Sequence, residues 1–292
     1  MYEQISSNIW KSYGLIVFFV ALIIGLGYLF AETTGYPEIL PLAAVFAIFS
    51  SIGSYYYSDK IVLAMSRARP ATKEEYPHLV NSVEGLAIAA GLPMPRVYVI
   101  DDSAPNAFAT GRNPQNAAIA VTTGLMDKMN RVELEGVIGH EMSHIKDYDI
   151  RLMTLVAILA GTVVLISDWL LRSMWYGGRR RDREGGGNPI VLIVALVAAI
   201  IAPLAATLIQ LAVSRRREYL ADAEGALLTR FPDGLASALE KISADTEPLE
   251  VANKATAHMY IVNPLKNVGG TLNVLFSTHP PIEDRIRRLK EM

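Results

Sequence analysis

The chain has 292 residues, 51% of them hydrophobic, with a mean hydropathy of +0.28 and a formal net charge of −2. So small a charge gives no indication of a nucleic-acid partner, and the absence of cysteine excludes disulfides, thiolate metal sites and a cysteine nucleophile. Any metal site must therefore use carboxylates and the five histidines, which are His78, His140, His144, His258 and His279.

Two uncharged apolar runs near the N-terminus predict a membrane hairpin. Residues 14–30 would rise about 26 Å as a helix, close to the thickness of the bilayer core. Residues 39–57 end in three consecutive tyrosines, which suit the membrane interface. We interpret the first run as an uncleaved anchor rather than a signal peptide, because it lacks a strongly basic start and a second run follows within ten residues.

The stretch after the second run predicts a small soluble unit. Its apolar spacing indicates a helix over residues 76–90, which Gly91 and Pro93 end. Short apolar segments bounded by turn residues predict three strands, at residues 96–101, 106–110 and 117–123. Three such strands make a small sheet.

A longer helix follows and carries the most specific motif of the chain. Asn130 is a candidate N-cap, and Glu133 completes the pattern of a capping box. His140, Glu141 and His144 then form H-E-x-x-H, which places both imidazoles one turn apart on one helix face, able to share a zinc ion at about 2.0–2.1 Å. Glu141 can accept a proton from the zinc-bound water. The alternative is a pair of solvent-facing histidines.

Two further apolar runs, at residues 153–171 and 189–213, predict a second hydrophobic hairpin, with buried core helices as the alternative. Lys and Arg follow the second N-terminal run but are absent from the connector before it, so the chain after residue 57 is expected in the cytoplasm. The arginine-rich loop between the later runs conflicts with a hairpin that crosses fully. That hairpin either spans against the rule or is re-entrant, and both arrangements return the chain to the same side.

A catalytic zinc ion needs a third protein ligand and one open position. Ile150 stands six residues after His144, which excludes the three-histidine form of the motif. Glu218 and Asp222, four residues apart on a later predicted helix, are the best carboxylate pair after residue 144. One of them can bind zinc while the other accepts the spare N–H of a ligand histidine. The alternative is a solvated helix face. Helices are predicted at residues 218–229, 235–242 and 281–290.

Several ordered motifs carry a family resemblance. They are Asn-Ala-Phe-Ala-Thr-Gly at residues 106–111, His-Glu-Met-Ser-His at 140–144, Arg-Glu-Tyr-Leu-Ala-Asp at 217–222 and Ser-Thr-His-Pro-Pro at 277–281. The first two motifs lie between the two pairs of apolar runs and the last two follow the second pair. With these motifs in this order, the chain resembles the HtpX-type family of membrane zinc metallopeptidases, relatives of the CAAX prenyl proteases. The resemblance covers nearly the whole length.

The resemblance implies a gluzincin site with one zinc ion (Zn²⁺) per subunit. His140, His144 and Glu218 would hold the metal, and Asp222 would support a ligand histidine. It also implies proteolytic quality control of membrane proteins, often linked to envelope or heat stress.

Two further groups of residues are candidates for the site. The resemblance implies that Asn106, Ala107 and Phe108 bind extended substrate, which is physically sensible because a strand added to a sheet edge gains main-chain hydrogen bonds without demanding a side-chain sequence. The alternative for Asn106 is a turn residue. His279, which precedes two prolines, is a candidate catalytic donor to the carbonyl oxygen opposite the zinc. A cap of the last helix is the alternative role, and His258 is the second candidate donor.

The expected fold class is α+β, mainly helical, with about four hydrophobic helices and a gluzincin-type catalytic domain that contains a small sheet. The expected divisions are an N-terminal membrane hairpin (1–57), the first catalytic part with the H-E-x-x-H helix (58–152), a second hydrophobic hairpin (153–213) and the second catalytic part with the third ligand (214–292).

The predicted function is that of a zinc-dependent endopeptidase, multi-pass in the cell (inner) membrane, with a cytoplasmic active site and water activated by Glu141. Its expected partners are unfolded or misfolded membrane proteins and the lipid bilayer, with no nucleic acid. Two rivals stay open. One is a prenyl-peptide processor, whose deep membrane chamber needs more than four short apolar runs. The other is a membrane scaffold with structural zinc. Two histidines and a carboxylate favour zinc over other metals.

Overall fold

The structure of the chain is a computed structural model that describes residues 2–178, 214–251, 256–264 and 280–292. The helices in these ranges are α1 (Tyr2–Thr34), α2 (Ile39–Met65), α3 (Pro77–Ala90), α4 (Thr123–Lys128), α5 (Arg131–Lys146), α6 (Asp149–Gly178), α7 (Arg215–Thr229), α8 (Pro232–Ala244) and α9 (Ile282–Lys290). The strands are β1 (Arg69–Pro70), β2 (Arg96–Ile100), β3 (Ala107–Thr110) and β4 (Ala118–Thr122).

Three described helices are long and apolar enough to cross a membrane: Glu3–Glu32, Ile39–Met65 and Asp149–Ile166. Helix α6 packs against α1 and α2 through a cluster of apolar side chains that includes Phe19 and Leu159. Helices α1 and α2 approach closely where Gly27 faces Ala43, and small residues allow such contact between membrane helices. The first three apolar runs are thus confirmed as candidate spans, whereas the run at residues 189–213 lies outside the described residues.

The soluble part is built on a four-stranded sheet of order β1-β2-β4-β3, in which β2 and β4 are parallel and the other pairs antiparallel. Its side chains alternate between two layers. Val99 and Ile119 face a core shared with α3 and α5, whereas Ile100 and Phe108 face a second cluster shared with α2 and α6. The sheet therefore joins the soluble helices to the membrane helices. The mainly helical α+β class is confirmed, with one short strand, β1, that sequence patterns did not predict.

The start of α5 is fixed by the predicted capping box. The Asn130 side chain accepts from the Glu133 backbone N–H at 3.0 Å, and the Glu133 carboxylate accepts from the Asn130 backbone N–H at 2.8 Å. Burial disfavours the charged form of Glu133, but Lys241 and Ser237 on α8 bind its carboxylate and lower its pKa. These contacts hold α5 against α8 and so fix the position of the motif two turns later.

Candidate metal centre

Helix α5 buries its H-E-x-x-H face completely. His140, Glu141 and His144 are 1%, 2% and 3% exposed. The Nε2 atoms of the two histidines lie 3.2 Å apart. This arrangement excludes the alternative of two solvent-facing histidines.

Helix α7 brings the carboxylate pair to the same place. Glu218 Oε2 lies 3.8 Å from His140 Nε2, and Glu218 Oε1 lies 3.6 Å from His144 Nε2. The close approach of the two helices depends on Gly225, because a Cβ atom there would lie 2.8 Å from the backbone nitrogen of His140. Contacts under about 3.0 Å are not found for real Cβ atoms, so any side chain at 225 would push α7 away from α5.

The three side chains form a donor set that fits a metal ion. Their ligand atoms all lie within 4.8 Å of one another, and this is the one such group among the residues that the structure describes. A tetrahedral ion with bonds of about 2.0–2.1 Å needs ligand atoms about 3.3 Å apart, which is close to the separations in this group. Two imidazole nitrogens and a carboxylate oxygen are the chemistry expected of a catalytic site with one open position.

Each histidine of the set has a carboxylate on its other ring nitrogen. His140 Nδ1 lies 3.0 Å from Asp222 Oδ1, and His144 Nδ1 lies 3.1 Å from Asp149 Oδ2. A carboxylate at Nδ1 places the proton there, which leaves Nε2 free to bind a metal. Burial alone would lower the pKa of His144, but Asp149 and Glu218 outweigh this effect and raise it to about 9.

Asp222 is in turn clamped by Arg285 from α9. The guanidinium donates to both carboxylate oxygens, at 2.8 and 2.7 Å, and also to the Ile261 carbonyl at 2.8 Å. Burial would raise the pKa of Asp222, but Arg285 and His140 hold it well below its usual range. Asp222 therefore stays charged and can hold the His140 ring in one orientation.

Asp149 is held by a different set of groups. Arg217 Nη1 donates to Asp149 Oδ1 at 3.0 Å, and the side-chain amide of Asn8 donates to the same oxygen at 2.7 Å. Arg217 also donates to Asn8 Oδ1 at 3.1 Å. Since Asn8 belongs to α1, the first membrane helix is connected to His144 through one carboxylate.

Comparison with known proteins gives matches over most of the chain. A family model described as Peptidase family M48 matches residues 73–292. A Protease HtpX homolog from Dictyoglomus turgidum is 49% identical over 292 residues, covering 100% of this chain and 94% of its own. One from Pyrococcus furiosus is 48% identical over 289 residues, covering 98% and 96%.

The chain belongs to peptidase family M48. It is a membrane metalloprotease of the HtpX type, as the sequence resemblance predicted. A crystal structure of S. mikatae Ste24p shares its fold, with a TM-score of 0.52 and 21% identity over 99% of this chain and 67% of that one.

Glu141 of this M48 chain lies beside the histidines and is held by the sheet. Burial raises the pKa of its carboxyl, while the nearby histidines and a hydrogen bond from the Ala109 backbone N–H oppose that rise. The strand β3 is an edge strand, so Ala109 can present its N–H to the site.

The candidate substrate-binding residues at the start of β3 and just before it are covered by the chain itself. Asn106, Ala107 and Phe108 are all buried. The Ile261 backbone N–H donates to the Ala107 carbonyl at 3.0 Å, and the Phe108 ring packs edge-on against Tyr260 with centroids 5.1 Å apart. In the described structure, a segment of the same chain therefore occupies the edge position at which a substrate strand was expected.

The structure describes one of the two candidate donors to the carbonyl oxygen. His279 lies outside the described residues. His258 is buried and its Nε2 lies 3.1 Å from the Met153 carbonyl, so this nitrogen is engaged with α6.

Sequence reasoning missed Arg285 and Asn8. The helical spacing contained a signal for Arg285, since Ile282, Arg285 and Leu289 share the face of α9 that points inward. Asn8 had no such signal, because a single asparagine ahead of an apolar run is ordinary in sequence.

Proposed function

We propose that this metalloprotease is a zinc-dependent endopeptidase that cleaves unfolded or misfolded membrane proteins at the cytoplasmic face of the cell membrane. The observation that carries the proposal is the convergence of His140, His144 and Glu218 in one buried donor set. Two relatives that span nearly the whole chain are named Protease HtpX homolog, which supports proteolysis.

The donor set favours one zinc ion per subunit. Neutral imidazole suits zinc, and three protein ligands leave the fourth position of a tetrahedral ion for water or substrate. When bound, the ion would lower the pKa of water and polarise the scissile carbonyl. A closed structural site would need a fourth protein ligand, and the described residues offer only three in this group.

Glu141 is proposed as the proton carrier of the reaction. Its carboxylate would accept a proton from the attacking water and then deliver it to the leaving amine. Burial raises the pKa of its carboxyl, which is the direction that suits a group that accepts and then releases a proton. The Ala109 N–H holds the carboxylate in place between these two transfers.

The substrate would arrive as an extended chain beside β3. Because Ala107 already accepts from Ile261, a substrate that pairs with residues 106–108 must displace the segment around Tyr260. His279 is proposed as the donor to the carbonyl oxygen. It precedes Pro280 directly, and the helix that follows, α9, brings Arg285 to the metal centre.

The cytoplasmic orientation rests on the charge of the flanking segments. No Lys or Arg lies between α1 and α2, whereas Lys60 lies in the last two turns of α2 and Arg67, Arg69 and Lys73 follow that helix. This bias supports a cytoplasmic location for the soluble part. The division into two membrane hairpins and two catalytic parts is retained as part of the proposal.

The deciding experiment compares purified parent, Glu141→Gln and Glu135→Gln for bound zinc and for cleavage of unfolded casein. Glu135 lies on the same helix, where it pairs with Arg131 near the surface, and serves as the matched control. Glu141→Gln is expected to retain zinc and lose cleavage by at least about 100-fold. Unchanged cleavage by this variant would refute the mechanism. Preference for a prenylated peptide over casein would instead favour the prenyl-peptide processor.

A further inference from the structure

A cavity of about 620 Å³ lies between the end of α2 and the turn that precedes β4. It is far from the metal ligands in sequence, and none of the groups assigned to catalysis lines it. Its size is typical of a small-molecule site. Its walls include Ile52, Tyr56 and Lys60 from α2, and Arg96 and Arg112 from the sheet region.

The α2 wall changes in character along the helix. Ile52, Tyr56 and Lys60 are four residues apart and so lie on one face, in the order apolar, aromatic and cationic. Ile52 and Tyr56 are 51% and 53% exposed, on a helix long and apolar enough to span a membrane. This order matches a lipid molecule at the interface, from acyl chain through glycerol to headgroup.

The polar end of the cavity carries an excess of positive charge. Lys60, Arg96 and Arg112 face a single carboxylate, Asp59, so three positive charges and one negative charge leave a formal charge of +2. Arg96 is paired with Asp59 at 2.5 Å. Arg112 stacks over Tyr56 at 5.0 Å and donates long hydrogen bonds to two neutral oxygens, the Tyr56 carbonyl at 3.3 Å and Asn116 Oδ1 at 3.5 Å. It has no carboxylate partner among the described ion pairs, so its charge is available to an anion.

We propose that this cavity binds the phosphate of an anionic phospholipid. Lys60 and Arg112 contact the phosphate, Tyr56 lies at the level of the glycerol, and one acyl chain follows Ile52 along α2. A lipid is favoured over a free phosphate because the cavity opens onto a helix face with exposed apolar residues, including Phe49 and Ile52. The bound headgroup would tie the sheet region to α2 at the membrane surface.

The test measures lipid binding to the full chain in neutral detergent, by native mass spectrometry and by thermal shift. The probes are phosphatidylglycerol, phosphatidylcholine and inorganic phosphate. The variants are Lys60→Gln/Arg112→Gln, Lys60→Gln alone, and the control Lys73→Gln, which removes an exposed cation that pairs with Glu84 away from the cavity. We expect phosphatidylglycerol to bind the parent and the control equally. We expect the double variant to bind about 30-fold more weakly and the single variant about fivefold more weakly.

Three results would overturn the proposal. Equal affinity for phosphatidylglycerol and phosphatidylcholine would show that the cavity does not discriminate between lipids by the charge of the headgroup. Competition by inorganic phosphate at an affinity equal to that of the lipid would assign the site to free phosphate. Equal loss in the Lys73→Gln control would show a general surface effect. Bound zinc and casein cleavage in detergent should stay unchanged in every variant, so a failure of this proposal is separable from a failure of the proposed protease mechanism.

Discussion

The two histidines of the metal centre have the same chemical support but draw it from different parts of the molecule. His140 is backed by Asp222 and Arg285, both on helices of the soluble part. His144 is backed by Asp149, which is held by Arg217 and by Asn8 of the first membrane helix. We call these the soluble arm and the membrane arm. The comparison teaches that the membrane helices take part in shaping the metal site as well as anchoring it.

The arms also differ in burial. Arg285 is 1% exposed and makes a two-point contact with Asp222, whereas the Arg217 side chain is 13% exposed and makes one contact with Asp149. A buried charge that loses its partner is strongly destabilising, and both aspartates are buried. Without Arg217, however, Asp149 keeps Asn8 and His144, whereas without Arg285 Asp222 keeps only His140. The soluble arm should therefore matter more to stability.

The largest effect is expected for Arg285→Met. The change leaves the Asp222 carboxylate buried beside His140 without its guanidinium, which should cost about 3–5 kcal/mol of unfolding free energy. Denaturant unfolding of the metal-free protein measures this loss. Arg217→Met should lose clearly less, and Arg287→Met, which removes an exposed partner of Asp284, should lose almost nothing. Equal losses for Arg285 and Arg217 would contradict the difference between the arms.

The next largest effect is expected where α7 crosses α5, since this crossing brings Glu218 to both histidines. Gly225→Ala places a methyl group against the backbone of His140 and should cost about 1–3 kcal/mol through overpacking. Zinc affinity, measured by competition with a chelator, should fall with it as Glu218 moves away. The control is Gly85→Ala in α3, where the added Cβ meets open space and should be neutral or slightly stabilising. Full zinc affinity in Gly225→Ala would show that the crossing has room to adjust.

Much of this centre could be predicted from sequence because its key residues lie at helical spacing. Four residues separate His140 from His144, and four separate Glu218 from Asp222. The capping box at Asn130 is also a local pattern. The same holds for the membrane runs, whose length and lack of charge are local properties.

The rest depends on contacts between distant segments, which local patterns do not encode. Arg285 reaches Asp222 across 63 residues, and Asn8 reaches Asp149 across 141. Strand β1 has two residues and exists through its pairing with β2. Gly225 is an unremarkable helix glycine until α5 is placed against it.

The pH dependence of metal binding tests the membrane arm directly. In the metal-free protein the pKa of His144 is raised to about 9, so at neutral pH both ring nitrogens carry a proton, and a metal ion must displace the proton on Nε2 while the one on Nδ1 stays with Asp149. Apparent zinc affinity should therefore rise about tenfold for each pH unit between 6 and 8. Competition titrations in this range measure the slope. A flat profile would show that His144 is already neutral in this range, which would contradict the rise in its pKa that we attribute to Asp149.

The smallest effect is expected for Asn8→Leu. This variant tests whether α1 only anchors the protein in the membrane or also supports His144 through Asp149. The substitution removes an amide that donates to Asp149 and to the Asp147 carbonyl and accepts from Arg217, while Arg217 itself stays in contact with the Asp149 carboxylate. The bond to Asp149 is the one that acts on His144, and a lost hydrogen bond of this kind is worth about 0.5–1.5 kcal/mol, so zinc affinity should fall by about three- to tenfold. The control is Ser12→Ala, one turn further along α1, where the hydroxyl donates to the Asn8 carbonyl and, among the described residues, contacts no group of the metal centre. If α1 were only an anchor, both variants would bind zinc like the parent. A drop confined to Asn8→Leu, with KM for casein unchanged, would show that α1 acts on the site through His144.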